Sequence, residues 1–237
     1  MARHLDWEGC FNARDLGGLK TAAGDEIRRG AAVRADALDA LTARGWEAVV
    51  AHGVTTIIDL RNDDELGADA APRPEELTTL RMPLDQVEDT EFWAYWSSGW
   101  QFGTPLYYGP HIARFPRRSA GVIAAIARAA PGGVVVHCGV GRDRTGLVTM
   151  LLLALLGVSV EEIAADYALS TARLPPLFAR RGEPDQGPLI EAFFAEQATS
   201  ASAVIAKTLA DLDHEAWMRD GGLTEDDLAR LRARLLR

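Results

Sequence analysis

The stretch Val134–Gly146, VVVHCGVGRDRTG, constrains the fold more than any other part of the chain. Its valines read as a short strand, Val134–His137, whose side chains are apolar on both faces, as in a strand covered on both sides. The apolar run from Thr145 to Leu156 reads as a buried helix following almost at once. Cys138–Arg144 is therefore a loop at the carboxyl end of a strand and the amino end of a helix. Both features attract anions, because main-chain N–H groups converge there and the helix dipole is positive. Gly139, Gly141 and Gly146 let the backbone take the unusual dihedrals and close approaches that such a nest requires.

The remaining periodicity extends this unit into a domain. Val54–Leu60, VTTIIDL, is a second β-branched run, preceded by the amphipathic stretch LTARGWEAVVAHG with Gly53 suited to close a helix. Gly121–Ala130 reads as a helix broken by Pro131-Gly132-Gly133. Ser159 and Glu162 form a capping-box pattern that opens a helix over Val160–Leu169. LIEAFFAEQ and AVIAKTLADL, within Pro188–Asp213, have helical spacing, and Thr224 caps a last helix, Glu225–Leu236. The expected class is α/β: a three-layer sandwich with a mainly parallel central sheet flanked by helices and a helical insert after the loop. No Ser/Gly or Pro linker divides the chain and no repeat is visible, so residues 1–237 are expected to form one domain.

Composition narrows the function. A net charge of −9 and a pI near 5.1 oppose nucleic acid and anionic lipid, so any anionic ligand must be held by a local cluster. Leu147–Val158, the longest apolar run, is too short to span a bilayer, and the first residues lack the apolar core of a signal peptide. A cytoplasmic protein with reduced thiols is expected, with export by another route left open, and the oligomeric state is not legible. Two cysteines, Cys10 and Cys138, make no disulfide framework, and no paired metal-ligand spacing occurs. Neither metal nor cofactor is implied.

A cysteine at this loop meets a positive helix end and nearby guanidinium groups, both of which favour the thiolate. Arg144, six residues on, can return to the rim and grip two phosphoryl oxygens with its planar fork. Thr145 can hydrogen-bond the sulfur and ease its departure. This pattern suits phosphoryl transfer through a phosphocysteine: in-line attack by Cys138, charge stabilisation by the amides of Gly139, Val140, Gly141, Arg142, Asp143, Arg144 and Thr145, then hydrolysis by water. Two other readings stand beside it: a sulfurtransferase, and a catalytically silent phosphate-binding module.

HCGVGRDRTG resembles the phosphate loop of the cysteine-dependent phosphatases, and more narrowly that of the bacterial PtpB-like protein tyrosine phosphatases, an atypical branch with lipid-phosphatase-like loops. That loop usually reads HC, two residues, GKDRTG; Arg142 stands here in place of the usual Lys. FNARDLGG, VRADAL, VTTIIDLRNDDE, EEIAADYALS and MRDGGLTEDDLARLRARLL resemble further elements of the family, so the similarity covers nearly the whole chain. The resemblance implies hydrolysis of phosphotyrosine, with phosphoserine, phosphothreonine or phosphoinositides as further substrates and inorganic phosphate as product.

Asp85, ahead of the loop in LRMPLDQVED, is taken as the general acid, and Asp143 as a loop acid or water-orienting group, as the family's own loop aspartate suggests. Asp59 is read as a brace at the sheet edge, and the Pro-Asp pair at Asp185 as coincidence. Arg14 and Asp15 approach the phosphate rim or anchor the amino-terminal segment by an ion pair. His137 is expected to order the loop, and Cys10 to be a buried small hydrophobe. Of the eight aromatic residues from Phe92 to Tyr108, one or two are expected to line a slot for a phenyl ring, with Trp93, Trp96 and Trp100 the ones to mutate, and some of the others to pack as core. Residues 171–213, beginning with the breaker Leu174-Pro175-Pro176, resemble the family's helical lid.

Overall fold

The computed structural model describes residues 3–237. Five strands, β1 (Arg14–Asp15), β2 (Ala32–Ala35), β3 (Val54–Asp59), β4 (Thr78–Arg81) and β5 (Gly133–His137), form one sheet in the order β1-β2-β5-β3-β4. Only β1 runs antiparallel, against β2. The valine run is thus the centre of the sheet, flanked by parallel partners on both sides.

Strand periodicity sorts its two faces. Ala32, Ile58, Val134 and Val136 face one core, while Val33, Ile57 and Val135 face the other. The second core is closed by α1 (Ala43–Ala51), whose Trp46 and Val49 are buried, and by the turn carrying Leu38 and Leu41. The first is larger. It is built by α2 (Thr90–Trp96), α3 (Tyr108–Arg114), α4 (Pro116–Arg128), α5 (Asp143–Leu155) and α6 (Val160–Arg173). Beyond α6 follow α7 (Pro175–Arg181), α8 (Gly187–Glu196), α9 (Ala201–Asp211), α10 (His214–Gly221) and α11 (Glu225–Leu235). Ile205, Trp217 and Leu231 bring α9, α10 and α11 into that same core.

Local chemistry accounts for most boundaries. Ser159 accepts the Glu162 amide at the start of α6, and Thr224 makes a full capping box with Asp227 at α11. Several boundaries differ from the sequence expectation. α4 begins at Pro116, five residues before Gly121, because a proline at the first helical position donates no N–H that the helix needs. α5 begins at Asp143, not Thr145, so the helix starts inside the glycine-rich loop. The pair Pro175-Pro176 opens a further helix, α7, by the same first-turn tolerance, and α6 continues unbroken to Arg173. Asp59 is not at a sheet edge: β3 lies between β5 and β4.

Candidate active site

The loop 138–142 gets its shape from behind. The Cys138 carbonyl lies 3.3 Å from His137 Nδ1, and the Gly139 carbonyl accepts from the Ala37 amide at 3.2 Å and Arg181 at 2.9 Å. The Val140 and Gly141 carbonyls accept from Asn12 Nδ2 at 3.1 and 3.2 Å. Arg34 donates to the carbonyls of Gly141, at 2.8 Å, and Arg142, at 3.3 Å. Tyr108 takes the Asp143 carbonyl at 2.7 Å. Every peptide here is trans, and in a trans peptide the N–H points opposite to the C=O. The carbonyls of Val140 to Asp143, held on the buried side by Asn12, Arg34 and Tyr108, therefore turn the amides of Gly141 through Arg144 the other way, whereas the Gly139 carbonyl is held by Ala37 and Arg181, which themselves line the cleft. Gly141 takes φ +70°, which its lack of a Cβ permits.

On that side lies a cleft of about 550 Å³ lined by Cys138, Gly139, Val140, Arg142, Asp143 and Arg144, with Arg61, Glu65, Trp100, Phe102 and Arg181 among its walls. Cys138 is 1% exposed at its floor. Arg144 grips Glu65 with both terminal nitrogens, at 2.5 and 2.7 Å, and reaches Asp85 at 3.1 Å. Although burial works against its charge, the Cys138 sulfur, Asp85 and Glu65 hold its pKa well above the ordinary arginine value. Arg142 reaches Asp143 at 3.1 Å and Gln186 at 3.0 Å; burial opposes its charge too, but Asp143 outweighs it.

The two candidate acids are placed differently. Asp143 stands on the cleft wall, and its Oδ1 also accepts from Tyr167 at 3.4 Å. Asp85 lies behind Arg144, 2% exposed and off the cleft wall, held by Asn62 at 3.2 Å through Oδ2 while its Oδ1 has no partner among the described residues. Burial raises its pKa to about 6, against the pull of Arg144. Asp85, well ahead of the loop in sequence, meets the site through the Arg144 guanidinium and does not itself line the cleft. Thr145 is displaced from its expected bond to the sulfur. With α5 starting at Asp143 it sits in the helix's first turn, fully buried, and its Oγ1 has no partner among the described residues.

Several other residues resolve. Arg14 lies away from the rim and pairs with Asp166 at 3.1 Å, the anchoring ion pair; Asp15 accepts the Gly17 and Gly30 amides. Asp59 holds Arg61 and Arg81. Burial lowers the pKa of His137 to about 4, so it is neutral, and the Cys138 carbonyl, an acceptor only, takes the proton on Nδ1. Cys10 is no mere hydrophobe: its sulfur meets Asp36 Oδ1, and burial drives both groups' pKa values up. Of the three tryptophans only Trp100 lines the cleft; Trp93 packs on Phe102 and donates to the Asp85 carbonyl at 2.7 Å, and Trp96 packs beside Phe92. Asp185 caps the Gly187 amide and is absent from the cleft wall. The insert reaches the site instead through Arg181, Glu183 and Gln186. Among the described residues no group of side chains is arranged to hold a metal ion, and no helix is long and apolar enough to cross a membrane.

A cysteine and an arginine line one cleft from a strand-to-helix loop, an arrangement suited to a cysteine-dependent phosphatase. The profile of the tyrosine phosphatase family matches residues 5–237, and the chain belongs to that family. It is 30% identical over 180 residues, 73% of this chain and 65% of the relative, to a Cupriavidus necator protein named "Putative tyrosine-protein phosphatase". The match thus spans just under two thirds of that relative's length. Over 96% of this chain and 97% of the relative it is 25% identical to the triple specificity protein phosphatase PtpB of Mycobacterium tuberculosis. A tyrosine-protein phosphatase of Nostoc commune is 28% identical over 86% of this chain and 73% of its own. The PtpB-like resemblance of the loop therefore extends along the chain.

Proposed function

We propose that this chain hydrolyses phosphomonoesters, phosphotyrosine in proteins first, through a phosphocysteine on Cys138. The observation that carries the reading is that Cys138 and Arg144 line one cleft together with a loop whose carbonyls are held largely from its buried side. The Cys138 thiolate attacks phosphorus in line as the ester oxygen departs. The amides of Gly139 to Thr145 and Arg144 stabilise the charge on the three other oxygens. For Arg144 to take the phosphate it must release Glu65, a carboxylate that occupies the fork where two phosphoryl oxygens belong.

Asp143, on the wall and paired with Arg142 in the free site, must take up a proton as substrate binds, and it gives that proton to the leaving oxygen. It then takes one from the water that attacks the phosphocysteine, so that inorganic phosphate leaves and the thiolate returns. Asp85 acts through Arg144, setting its orientation and charge balance. Residues 171–213, within one domain spanning 1–237, gate the cleft, since Arg181 and Gln186 contact its loop. Phosphoserine, phosphothreonine and phosphoinositides are further substrates of the same chemistry, in line with the triple specificity in the Mycobacterium tuberculosis relative's name. A reduced thiol is needed throughout, which fits the cytoplasm.

Phosphate release from phosphotyrosine peptides and phosphoinositides tests this, using wild type, Cys138→Ser, Asp143→Asn and Asp85→Asn. Activity lost in Cys138→Ser and strongly reduced in Asp143→Asn is expected. Full activity in Cys138→Ser would refute the covalent route. Sulfur transfer without phosphate release, or phosphopeptide binding without turnover, would favour one of the two readings set beside it.

A further inference from the structure

We infer that Asn12 and Arg34 are positioning residues that set the phosphate loop from its buried side, with Asp166 as their common anchor. The inference rests on reading the cleft as a phosphoester site. Neither residue can meet a substrate, for Asn12 and Arg34 are 0% and 1% exposed and lie outside the cleft wall. Their side-chain contacts run to the loop and its anchor, Arg34 Nε alone having no partner among the described residues. Asn12 Nδ2 faces the carbonyls of Val140 and Gly141 and the Ser170 hydroxyl, while its Oδ1 accepts from Arg14 at 2.6 Å. Arg34 spans from the Gly141 and Arg142 carbonyls to Asp166, 2.8 Å away.

Asp166 collects three guanidinium groups, those of Arg3, Arg14 and Arg34. Burial opposes its ionisation, yet Arg14, Arg34 and Arg3 hold its carboxyl far below the usual range, so it stays charged at any working pH. The arrangement is long-range: Asn12 precedes β1, Arg34 sits on β2 opposite Val136 of the central strand, and Asp166 is on α6. Two consequences follow from the geometry. Rotating the peptides between Val140 and Asp143 would strip carbonyls from Asn12 and Arg34 and leave buried donors unpaired, so the inward amide direction is held before any ligand arrives. Three guanidinium groups on one carboxylate also leave positive charge beneath the amides that receive an anion.

The test uses the full chain with Asn12→Ala, which removes two donors to the loop and no charge. Orthovanadate inhibition and para-nitrophenyl phosphate turnover report on the amides. Alkylation of Cys138 by iodoacetamide, a neutral reagent that needs no anion nest, reports on general loosening. Vanadate affinity and kcat are expected to fall together by about tenfold or more, with kcat changing more than KM and alkylation within about twofold of wild type. A folded Asn12→Ala with vanadate affinity and kcat within about twofold of wild type would overturn the inference. So would losses matched by an equal rise in alkylation. If Asn12→Ala does not fold, Arg34→Lys is judged by the same readouts, since it keeps the charge but has lost the planar fork that spans two carbonyls and Asp166. A wild type that neither binds vanadate nor releases phosphate overturns the underlying phosphatase reading instead.

Discussion

Gly141→Ala is the sharpest structural perturbation of the loop. Gly141 has φ +70°, and a Cβ there would collide with the carbonyl of Ala35, lying 2.5 Å from its carbon and 2.6 Å from the Asp36 amide nitrogen. Those atoms are main chain next to β2 and cannot step aside as a side-chain tip could. Left-handed backbone in a non-glycine residue costs about 1–2 kcal/mol, and overpacking about 1–3 kcal/mol more. Their sum, about 2–5 kcal/mol, corresponds to a fall in Tm of roughly 4–20 °C for a domain of this size.

Two companions separate the contributions. Gly182→Ala has φ +67° but open space around its Cβ, so it carries only the backbone cost, a fall of roughly 2–8 °C. Gly139→Ala has ordinary φ and meets only Arg144 at 3.8 Å, so its Tm should stay within about 2 °C of wild type. Differential scanning calorimetry and vanadate inhibition are the assays. If the loop of Gly141→Ala relaxes rather than destabilising the fold, it must leave Arg34 and Asn12, and vanadate affinity falls. A Gly141→Ala protein with both Tm and vanadate inhibition of wild type would refute the reasoning.

Further outcomes are expected elsewhere. Asp143→Asn should lower kcat on phosphotyrosine by about 10²–10⁴-fold, but much less on para-nitrophenyl phosphate, whose leaving group needs little protonation; equal losses on both would remove Asp143 as the acid. Asp85 ionises as pH rises through about 6 and then competes as a carboxylate for Arg144, so wild-type kcat/KM should decline through that region. Asp85→Asn should flatten this limb of the pH profile, and an unaltered limb would assign it to another group. Burial opposes the Asp59 charge but Arg61 outweighs it, giving a pKa of about 2 against an unfolded value of 3.8. Its stabilisation, about 2 kcal/mol, is therefore present above pH 4 and lost as pH falls toward 2. Denaturant titrations should show a shallower acid loss in Asp59→Asn. Trp100→Ala should raise KM for aryl phosphates about 2–10-fold and leave small alkyl phosphates nearly unchanged; equal effects would exclude ring stacking.

The sequence displayed its strongest local signals and hid its long-range ones. The valine run, the caps at Ser159 and Thr224 and the apolar spacing of α8 and α9 are legible because each is decided within a few neighbouring residues. β2 and β4 have four residues each, too few for alternation to register, and β2 carries a buried arginine that reads as solvent-facing. The same cause hid much of the site. Asn12, Arg34 and Asp166 lie far apart in sequence and meet only through the sheet and α6, and polarity alone marks all three as surface residues. Glu65 lay within VTTIIDLRNDDE, yet nothing local says that it would reach Arg144. For Asp85 the related reason holds: its position ahead of the loop does not reveal which side of Arg144 the carboxylate occupies.

The proposed chemistry turns on a covalent bond between Cys138 and phosphorus. Wild type mixed with a phosphotyrosine peptide, quenched in acid within one turnover and digested, can be read by mass spectrometry. One added phosphoryl group is expected on the peptide containing Cys138, absent from Cys138→Ser. Turnover at full rate with that peptide never modified, or with the phosphoryl group on another residue, would contradict it.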